Sequence, residues 1–297
     1  MNIIFFLRSY GDFIVAINSL RNTTKLNSFC FVASLHLKEL FDSLPKNIVP
    51  GELQIVFYDF KIRHGILACF TDRFLISKTA VRELFEFRGF FKNKEQKFLL
   101  EDNENNFFLE QQRRAVLPFV VTGRKFDYLH SFGNIYDSYR HFFESNSNID
   151  CAFNLTLNKP LLILIFPGSR RKDKEIPREI VDYLLELQPY SNVSIKCALL
   201  VKDKSVAIED KRILHYSNFY ELRDCILSAD FIISSDSLPV HLCQLLGKPH
   251  WIMFNKKVNS EWLTPFTKKE NLFCCFSEYR KLGSFIKEKY NNESILG

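Results

Sequence analysis

Short apolar runs alternate with segments of helical periodicity through the second half of the chain, and no other feature restricts the fold as much. Leu161–Phe166 is the most apolar of these runs, without a charge and bounded by Pro160 and Pro167. Such a run is typical of a parallel strand that is buried on both faces. Because helical segments separate successive runs, the pattern predicts a doubly wound parallel sheet in an α/β fold.

Element positions follow from the same periodicity. In the second half it predicts strands at Leu161–Phe166, Val193–Val201, Asp230–Ser234 and Pro249–Phe254, and helices at Pro177–Leu187, Tyr220–Ser228, Pro239–Leu246 and about Ser277–Tyr290. In the first half it predicts strands at Asn2–Leu7, Phe29–Ser34 and Gln54–Tyr58, an exposed loop at Lys92–Asn106, extended chain at Tyr128–Phe132, and helices from Asp12 onward and at Leu35–Ser43, Lys78–Phe90, Glu110–Leu117 and Asn134–Glu144. The polar run Ser145–Asp150 separates the halves, so we expect two Rossmann-like domains, residues 1–150 and 151–297.

The composition is that of a globular protein, with 46% hydrophobic and 25% charged residues among 297. No apolar stretch approaches the ~20 residues of a membrane span, and the run Ile3–Leu7 is too short for the core of a signal peptide. We therefore expect a cytoplasmic protein. Its eight cysteines form no C-x-x-C pair and are interpreted as buried, reduced thiols.

The formal net charge of +6 favours an anionic partner, such as a nucleotide-sugar, a phosphorylated glycolipid, an anionic membrane face or nucleic acid. The charge is spread along the chain, and no aromatic–basic motif accompanies it. Nucleic acid is therefore not expected as a partner.

Loops that follow the strands are where ligands bind in sheets of this kind. In the first such loop, Arg8–Asp12, the carboxylate of Asp12 follows Gly11 at the opening of a helix, where it can face a cleft. A helix N-cap would account for the same residue at this position. Further glycines of a dinucleotide fingerprint are missing, which disfavours NAD or FAD.

The second loop, Phe166–Pro177, combines features that suit a diphosphate. Gly168 lets backbone N–H groups approach a ligand, Ser169 adds a hydroxyl, and four cations lie between Arg170 and Lys174. A strand end, a Gly-Ser pair, cations and a following helix together favour phosphate binding. A solvated basic loop is the alternative interpretation.

The third loop, Ser234–His241, leads into a helix that opens at Pro239. Backbone N–H groups at such a helix start favour an anion. The carboxylate of Asp236 would repel a phosphate, so we expect it to hold loop N–H groups or sugar hydroxyls. His241, one turn further, either faces the same cleft or packs against the sheet.

Together these loops resemble glycosyltransferase family 9, the ADP-heptose:lipopolysaccharide heptosyltransferases and their relatives. Arg8–Asp12 is similar to the family's opening motif, Arg171–Pro177 to its basic loop ending in Lys-x-Trp-Pro, and Asp236–Leu242 to its D-[ST]-G-x-x-H-L signature. The Leu-Gly-Lys-Pro segment at 246–249 also follows, and the motifs occur in the family's order.

The resemblance implies a GT-B fold of two facing Rossmann-like domains. It also implies inverting, metal-independent transfer of a heptose-like sugar from a nucleotide-diphosphate donor, with ADP-heptose a candidate, to a lipopolysaccharide or surface-glycan acceptor. No cofactor is implied beyond this substrate, and contact with the inner membrane would be peripheral. Asp12 corresponds to the general base and Lys174 to the residue that neutralises the departing diphosphate. The implied donor- and phosphate-binding residues are Gly11, Gly168, Ser169, Arg170, Asp236, Ser237, Leu238 and His241.

A non-catalytic relative that binds a nucleotide-sugar or a glycan is the alternative function. Leu238 stands where the signature has Gly, and Ile176 stands where the basic loop has Trp. The segment Lys202–Ser205 replaces a Gly and a Glu that family members place near the donor ribose.

Overall fold

The chain is described from a computed structural model, which covers residues 1–7, 9–21, 23–60, 88–93, 105–109, 124–129, 133–145, 161–187, 193–201 and 211–291. It divides into two compact units, Met1–Ser147 and Asn148–Gly297. Each unit contains a parallel sheet of its own, flanked by helices. The predicted α/β fold with two parallel-sheet domains is confirmed.

The first unit is built on a five-stranded sheet of order β3-β2-β1-β4-β5, in which every pairing is parallel. Its strands are β1 (Asn2–Phe6), β2 (Phe29–Ser34), β3 (Gln54–Tyr58), β4 (Asn106–Leu109) and β5 (Phe126–Tyr128), and its helices are α1 (Tyr10–Leu20), α2 (Lys38–Ser43) and α3 (Ile135–Phe143). A 3-10 turn, Leu35–Leu37, leads into α2.

Phenylalanine fills both faces of this sheet. Alternation along β1 sends Phe5 and Phe6 to opposite sides. Phe5 meets Phe90 edge-on at 5.7 Å between ring centroids, whereas Phe6 meets Phe13 of α1 at 5.4 Å. The side chains of Phe5 and Phe6 are both fully buried. The apolar character of β1 along its whole length therefore reflects helices or loops packed on both faces.

The second unit is built on a six-stranded parallel sheet of order β11-β10-β9-β6-β7-β8. Its strands are β6 (Leu161–Phe166), β7 (Val193–Leu200), β8 (Ile213–Tyr216), β9 (Phe231–Ser235), β10 (His250–Phe254) and β11 (Phe273–Cys275). Its helices are α4 (Arg178–Glu186), α5 (Phe219–Ser228), α6 (Leu238–Leu246), α7 (Pro265–Glu270) and α8 (Tyr279–Asn291).

Strand order decides where loops can meet. In the second unit the chain runs outward from β6 through β7 and β8, then returns to place β9 on the other side of β6. The crossovers that leave β6 and β9 therefore diverge, and a crevice opens at the carboxyl ends of these two strands. In the first unit the equivalent reversal lies between β1 and β4.

Several predicted boundaries needed correction. Helix α1 begins at Tyr10 rather than Asp12, and the predicted helix at Leu35–Ser43 opens with a 3-10 turn. β5 ends at Tyr128, the first residue of the predicted extended segment Tyr128–Phe132, of which residues 130–132 lie outside the described part of the chain. The elements β4, β8, β11 and α7 were not predicted, because runs of three to six residues carry too few periods to be distinguished from loops.

Other predictions lie wholly or largely outside the described residues. They are the helix at Glu110–Leu117, most of the helix at Lys78–Phe90, whose described part from Arg88 is helical, and most of the loop at Lys92–Asn106. Among the cysteines that are described, all six are free thiols and all but Cys225 are buried. Burial raises the pKa of Cys30 and of Cys197 to about 12, so these thiols stay protonated.

Candidate active site

A backbone hydrogen bond joins the two ends of the loop between β6 and α4, and the cations of the loop lie between these ends. The N–H of Ile176 donates to the carbonyl of Pro167 at 3.0 Å. The Ile176 side chain is buried in the same core cluster as Ile180 and Leu184 of α4. An apolar residue in this position therefore anchors the end of the loop, and a 3-10 turn, Lys172–Lys174, forms just before it.

Lys174 projects from that turn to the end of β9, where it meets Asp236. Its Nζ lies 2.5 Å from Oδ2 of Asp236 and donates also to the Asp236 carbonyl at 3.3 Å. The Lys174 side chain is 28% exposed and that of Asp236 only 7%. The contact joins two of the predicted loops, and it places a cation at the crevice between β6 and β9.

Asp236 is fixed by its backbone as well as by its carboxylate. Its N–H donates to the carbonyl of Met253 at 3.2 Å, which continues the β9–β10 ladder by one residue. Beside it, the hydroxyl of Ser234 donates to the Phe166 carbonyl at 3.1 Å and ties β9 to β6. The carboxylate receives the Lys174 ammonium rather than the loop N–H groups that we expected.

The start of α6 lies directly after this pair. Ser237 is the N-cap residue, yet its side chain makes no capping hydrogen bond. Its hydroxyl instead donates to the Ser235 carbonyl at 3.2 Å and lies 3.2 Å from the hydroxyl of Ser234. Pro239 has no N–H, so the amides of Ser237, Leu238 and Val240 are the donors that this helix end can offer to an anion.

His241 lies behind Asp236, with its Nε2 3.9 Å from Oδ1 of that residue. The His241 side chain is buried, and burial lowers its pKa to about 4, a shift that the nearby Asp236 charge only partly opposes. The imidazole is therefore neutral at pH 7, and its contact with Asp236 is not an ion pair. Of the two positions considered for His241, the structure places it in the packed interior of the unit.

Trp262 completes the surroundings of Lys174, and sequence reasoning did not identify it. It ends the 3-10 helix Ser260–Trp262, which follows β10. Nζ of Lys174 lies 5.8 Å from the centroid of the indole, and the His241 ring lies 6.2 Å from it, edge to face. No motif marks this residue, and only the position of β10 beside β9 brings it here.

The remaining predicted residues of the basic loop lie nearer to solvent. Gly168 and Arg170 are exposed and Ser169 is half-buried. The Ser169 hydroxyl accepts from the N–H of Arg171 at 3.3 Å, and the Arg171 guanidinium binds the Asp173 carboxylate, with Nε at 3.0 Å. Arg171 is therefore compensated within the loop, in the same way that Asp236 compensates Lys174.

In the first unit, Asp12 lies in the first turn of α1, close to the carboxyl end of β1. Ser9 is the N-cap, and its hydroxyl accepts from the N–H of Asp12 at 3.3 Å, so the interpretation of Asp12 as the cap is wrong. Gly11 precedes it within the helix, and the Asp12 side chain is 1% exposed. An acidic side chain in this first turn is favourably placed against the helix dipole.

A small polar cluster at the end of the neighbouring strand β2 was also missed. Nδ1 of His36 lies 2.9 Å from the Ser34 hydroxyl, and the His36 ring packs edge-on against Tyr10 of α1 at 5.3 Å between centroids. The cluster lies at the same edge of the sheet as the start of α1. Tyr10 falls inside the opening motif, but nothing in the sequence connects it to His36.

Two absences hold for the described part of the chain. It contains no group of three or more His, Cys, Asp or Glu side chains that could hold a metal ion. Across the same residues, none of the helices combines the length and the apolar character needed to cross a membrane.

A comparison of the sequence with protein-family models and with curated proteins finds no match. Solved structures do match. The E. coli heptosyltransferase WaaC with ADP gives a TM-score of 0.60 at 14% identity, with 97% of this chain and 99% of that chain covered. WaaC with ADP-2-deoxy-2-fluoro heptose gives a TM-score of 0.58 at 13% identity, with 97% of this chain and 100% of that chain covered.

The family 9 glycosyltransferase of Veillonella parvula gives a TM-score of 0.53 at 14% identity, with 88% of this chain and 83% of that chain covered. This chain has the GT-B fold. Similarity at this level of identity concerns the path of the backbone, and the expected resemblance to family 9 is confirmed as a similarity of GT-B structures. The roles of individual residues in this GT-B protein depend on their own geometry.

Proposed function

We propose that this protein is a glycosyltransferase that moves a sugar from a nucleoside-diphosphate donor to a glycan acceptor. The observation that carries the proposal is the Lys174 ammonium, held by Asp236 beside the start of α6 at the crevice between β6 and β9. A cation and helix amides at the carboxyl ends of parallel strands form an arrangement that favours phosphate groups.

The chemistry requires charge stabilisation on the leaving group. As the bond between the sugar and the diphosphate breaks, negative charge develops on the departing phosphate oxygen, and fixed donors that face it lower the barrier. The Lys174 ammonium donates two hydrogen bonds to Asp236. Its third N–H is the one proposed to donate to that phosphate oxygen. Arg170, Ser169 and the first-turn amides of α6 are the further donors in this proposal.

Asp12 is the proposed general base. Its carboxylate would take the proton of the acceptor hydroxyl while that oxygen forms its bond to the anomeric carbon from the face opposite the diphosphate. One bond forms as another breaks, so the configuration at that carbon inverts. The position of Asp12 in the first turn of α1, at the strand-order reversal of the first sheet, supports this assignment.

The finer parts of the proposal rest on the family resemblance. They are a heptose-like sugar, ADP as the nucleotide, independence from a metal, a lipopolysaccharide or surface-glycan acceptor, and peripheral contact with the inner membrane. WaaC, to which the fold is similar, has been solved with ADP and with ADP-2-deoxy-2-fluoro heptose, so ADP-linked sugars are the first donors to test.

The test is mass spectrometry of the purified protein incubated with ADP-, UDP-, GDP- and CMP-sugars and a glycolipid acceptor extract, with and without EDTA. We expect release of a nucleoside diphosphate together with an acceptor heavier by one sugar, unchanged by EDTA. If no donor is consumed and no acceptor gains mass, the protein is not a glycosyltransferase for these substrates.

Replacing Lys174 with Gln removes the charge and keeps most of the length of the side chain. We expect the transfer rate to fall about a hundredfold, as for other lost transition-state donors. Lys281→Gln is a matched control, because Lys281 also forms an ion pair in the second unit, with Glu278, but is exposed on α8. Equal transfer rates in the two variants would remove Lys174 from the mechanism.

Leu238 favours a second candidate, a relative that binds a nucleotide-sugar without transferring the sugar. Its half-buried side chain stands at the first position of α6, where a phosphate would approach the backbone. Calorimetry separates the two candidates, since saturable donor binding without transfer or donor hydrolysis would identify the binding protein.

A further inference from the structure

Trp262 reaches the Lys174 site from a segment that none of the three predicted loops includes. The chain leaves β10, forms the 3-10 helix Ser260–Trp262, and returns to the core at Leu263. The backbone N–H of Trp262 donates to the Asn259 carbonyl at 3.1 Å. The backbone N–H of Glu261 donates to the side-chain oxygen of Asn259 at the same distance. Leu263 then packs in an apolar cluster with Val240 of α6, so the indole stands on an anchored base.

Two polar side chains lie beside the indole. One contact is the Lys174 ammonium, 5.8 Å from the ring centroid, and another is the edge of His241 at 6.2 Å. A cation within about 6 Å of an indole face is attracted by the ring quadrupole. The ammonium is therefore held between the ring and the Asp236 carboxylate, and this arrangement sets its direction.

The two tryptophans of the chain differ in burial. Trp262 is only half-buried, whereas Trp251, the other tryptophan, is 4% exposed and donates its indole N–H to the Cys274 sulfur. Trp262 is thus the tryptophan that combines partial exposure with a contact to Lys174, the cation to which a donor phosphate would bind.

We infer that Trp262 is a donor-binding residue that holds the Lys174 ammonium in position and packs against a sugar ring adjacent to the diphosphate. The inference rests on the proposed function. A phosphate oxygen that accepts from the ammonium would lie about 2.8 Å from Nζ, which brings the adjoining part of the donor close to the indole. That part is either the transferred sugar, joined to the phosphate at its anomeric carbon, or the ribose, joined to it through C5′.

Binding and fluorescence together test the inference. Wild type, Trp262→Ala and Trp262→Phe are titrated by calorimetry with ADP, ADP-glucose, ADP-heptose, UDP-glucose and GDP-mannose. We expect Trp262→Ala to weaken nucleotide-sugar binding about tenfold, and Trp262→Phe to recover most of the loss because it keeps an aromatic ring. Weakening of ADP-sugars but not of ADP would identify the transferred sugar as the partner, and equal weakening of both would place the contact on the ADP part, at the ribose or at the phosphate that Lys174 binds.

Fluorescence adds a signal that a merely structural tryptophan would not give. Donor binding should change the emission of wild type, and the change should disappear in Trp262→Phe, in which only the buried Trp251 emits. Unchanged affinity in folded Trp262→Ala, or a full emission change in Trp262→Phe, would overturn this inference but not the proposed function. A wild type that binds none of these nucleotides would overturn the proposed function and this inference with it.

Discussion

Lys174 and Asp236 are 62 positions apart in the chain and form an ion pair of 2.5 Å at the end of the second sheet. The pair is mostly shielded from water, so its attraction is less screened than that of surface pairs such as Lys38–Asp42. Removing one member would leave a charge that the site is not built to hold alone. The pair thus holds the cation at the end of the sheet without an exposed, uncompensated charge.

At the residue scale, Asp12 gives the sharpest test of the mechanism. Asp12→Asn keeps the shape of the side chain and removes its capacity to accept a proton. We expect transfer to fall by about a hundredfold or more, while the Kd for the donor stays the same, because general-base catalysis contributes on this order. Transfer is followed by mass spectrometry and donor binding by calorimetry.

Asp42→Asn is the control, since Asp42 lies in the same unit but is exposed and pairs with Lys38 within α2. Turnover of Asp12→Asn close to that of Asp42→Asn would exclude Asp12 as the base. Loss of thermal stability in Asp12→Asn alone would show that the buried carboxylate serves the fold of α1 instead.

At the scale of elements, α6 supplies the backbone amides of the proposed phosphate site in the second unit. Its Ser237 side chain is turned to Ser234 and Ser235, so the amides of its first turn are not satisfied by a capping side chain. Its body is anchored by burial of Val240, Leu242 and Leu245. The helix therefore presents its positive end to the crevice from a rigid support.

Leu238→Gly should tighten binding of nucleoside diphosphates severalfold. Without the side chain, a phosphate can approach the first-turn amides more closely, although glycine costs roughly 0.5–1 kcal/mol of helix stability. Calorimetry with ADP measures the affinity, and urea unfolding measures the cost. The affinity of Leu238→Ala for ADP should lie between those of wild type and Leu238→Gly. Weaker binding of ADP by Leu238→Gly than by wild type would show that the leucine contributes to binding.

At the scale of the molecule, two buried histidines make the second unit sensitive to acid. His250 is enclosed: its Nδ1 donates to the Lys248 carbonyl at 2.7 Å, and its Nε2 accepts from the Thr264 hydroxyl at 2.8 Å. Burial is the main cause that lowers the pKa of His250 to about 4, as it does for His241. Both rings are neutral in the folded protein at pH 7 and would become protonated on unfolding in mild acid.

The free energy of unfolding should therefore be constant above about pH 7 and fall as the pH decreases toward 4. Between these limits the unfolded chain, with an ordinary histidine pKa near 6.5, binds more protons than the folded one. Each histidine should contribute a loss of about 2 kcal/mol between pH 7 and pH 5. Urea unfolding followed by tryptophan fluorescence measures this loss, because Trp251 and Trp262 both lie in the second unit.

His250→Gln should flatten the pH dependence, whereas His215→Gln should not, since His215 is exposed on β8. A wild type that is equally stable at pH 5 and pH 7 would contradict the assignment of neutral, buried imidazoles.

Sequence alone determined the fold class and predicted the loops to which the proposed chemistry is assigned. Strands β2, β3 and β6 were predicted to the residue, because an apolar run between chain breaks is a property of neighbouring residues. The short strands β4, β8 and β11 were missed, since pairing in the sheet, rather than local pattern, makes them strands.

Tertiary structure alone decided which side chains meet. The order of strands places β9 between β6 and β10, and this brings Lys174, Asp236 and Trp262 together from three separate crossovers. It also buries His241 behind Asp236, while the helix start at Tyr10 makes Asp12 a first-turn residue instead of a cap. A local pattern records the period of each segment, but contacts across the sheet depend on which segments become neighbours, and that is settled by the packing of the whole unit.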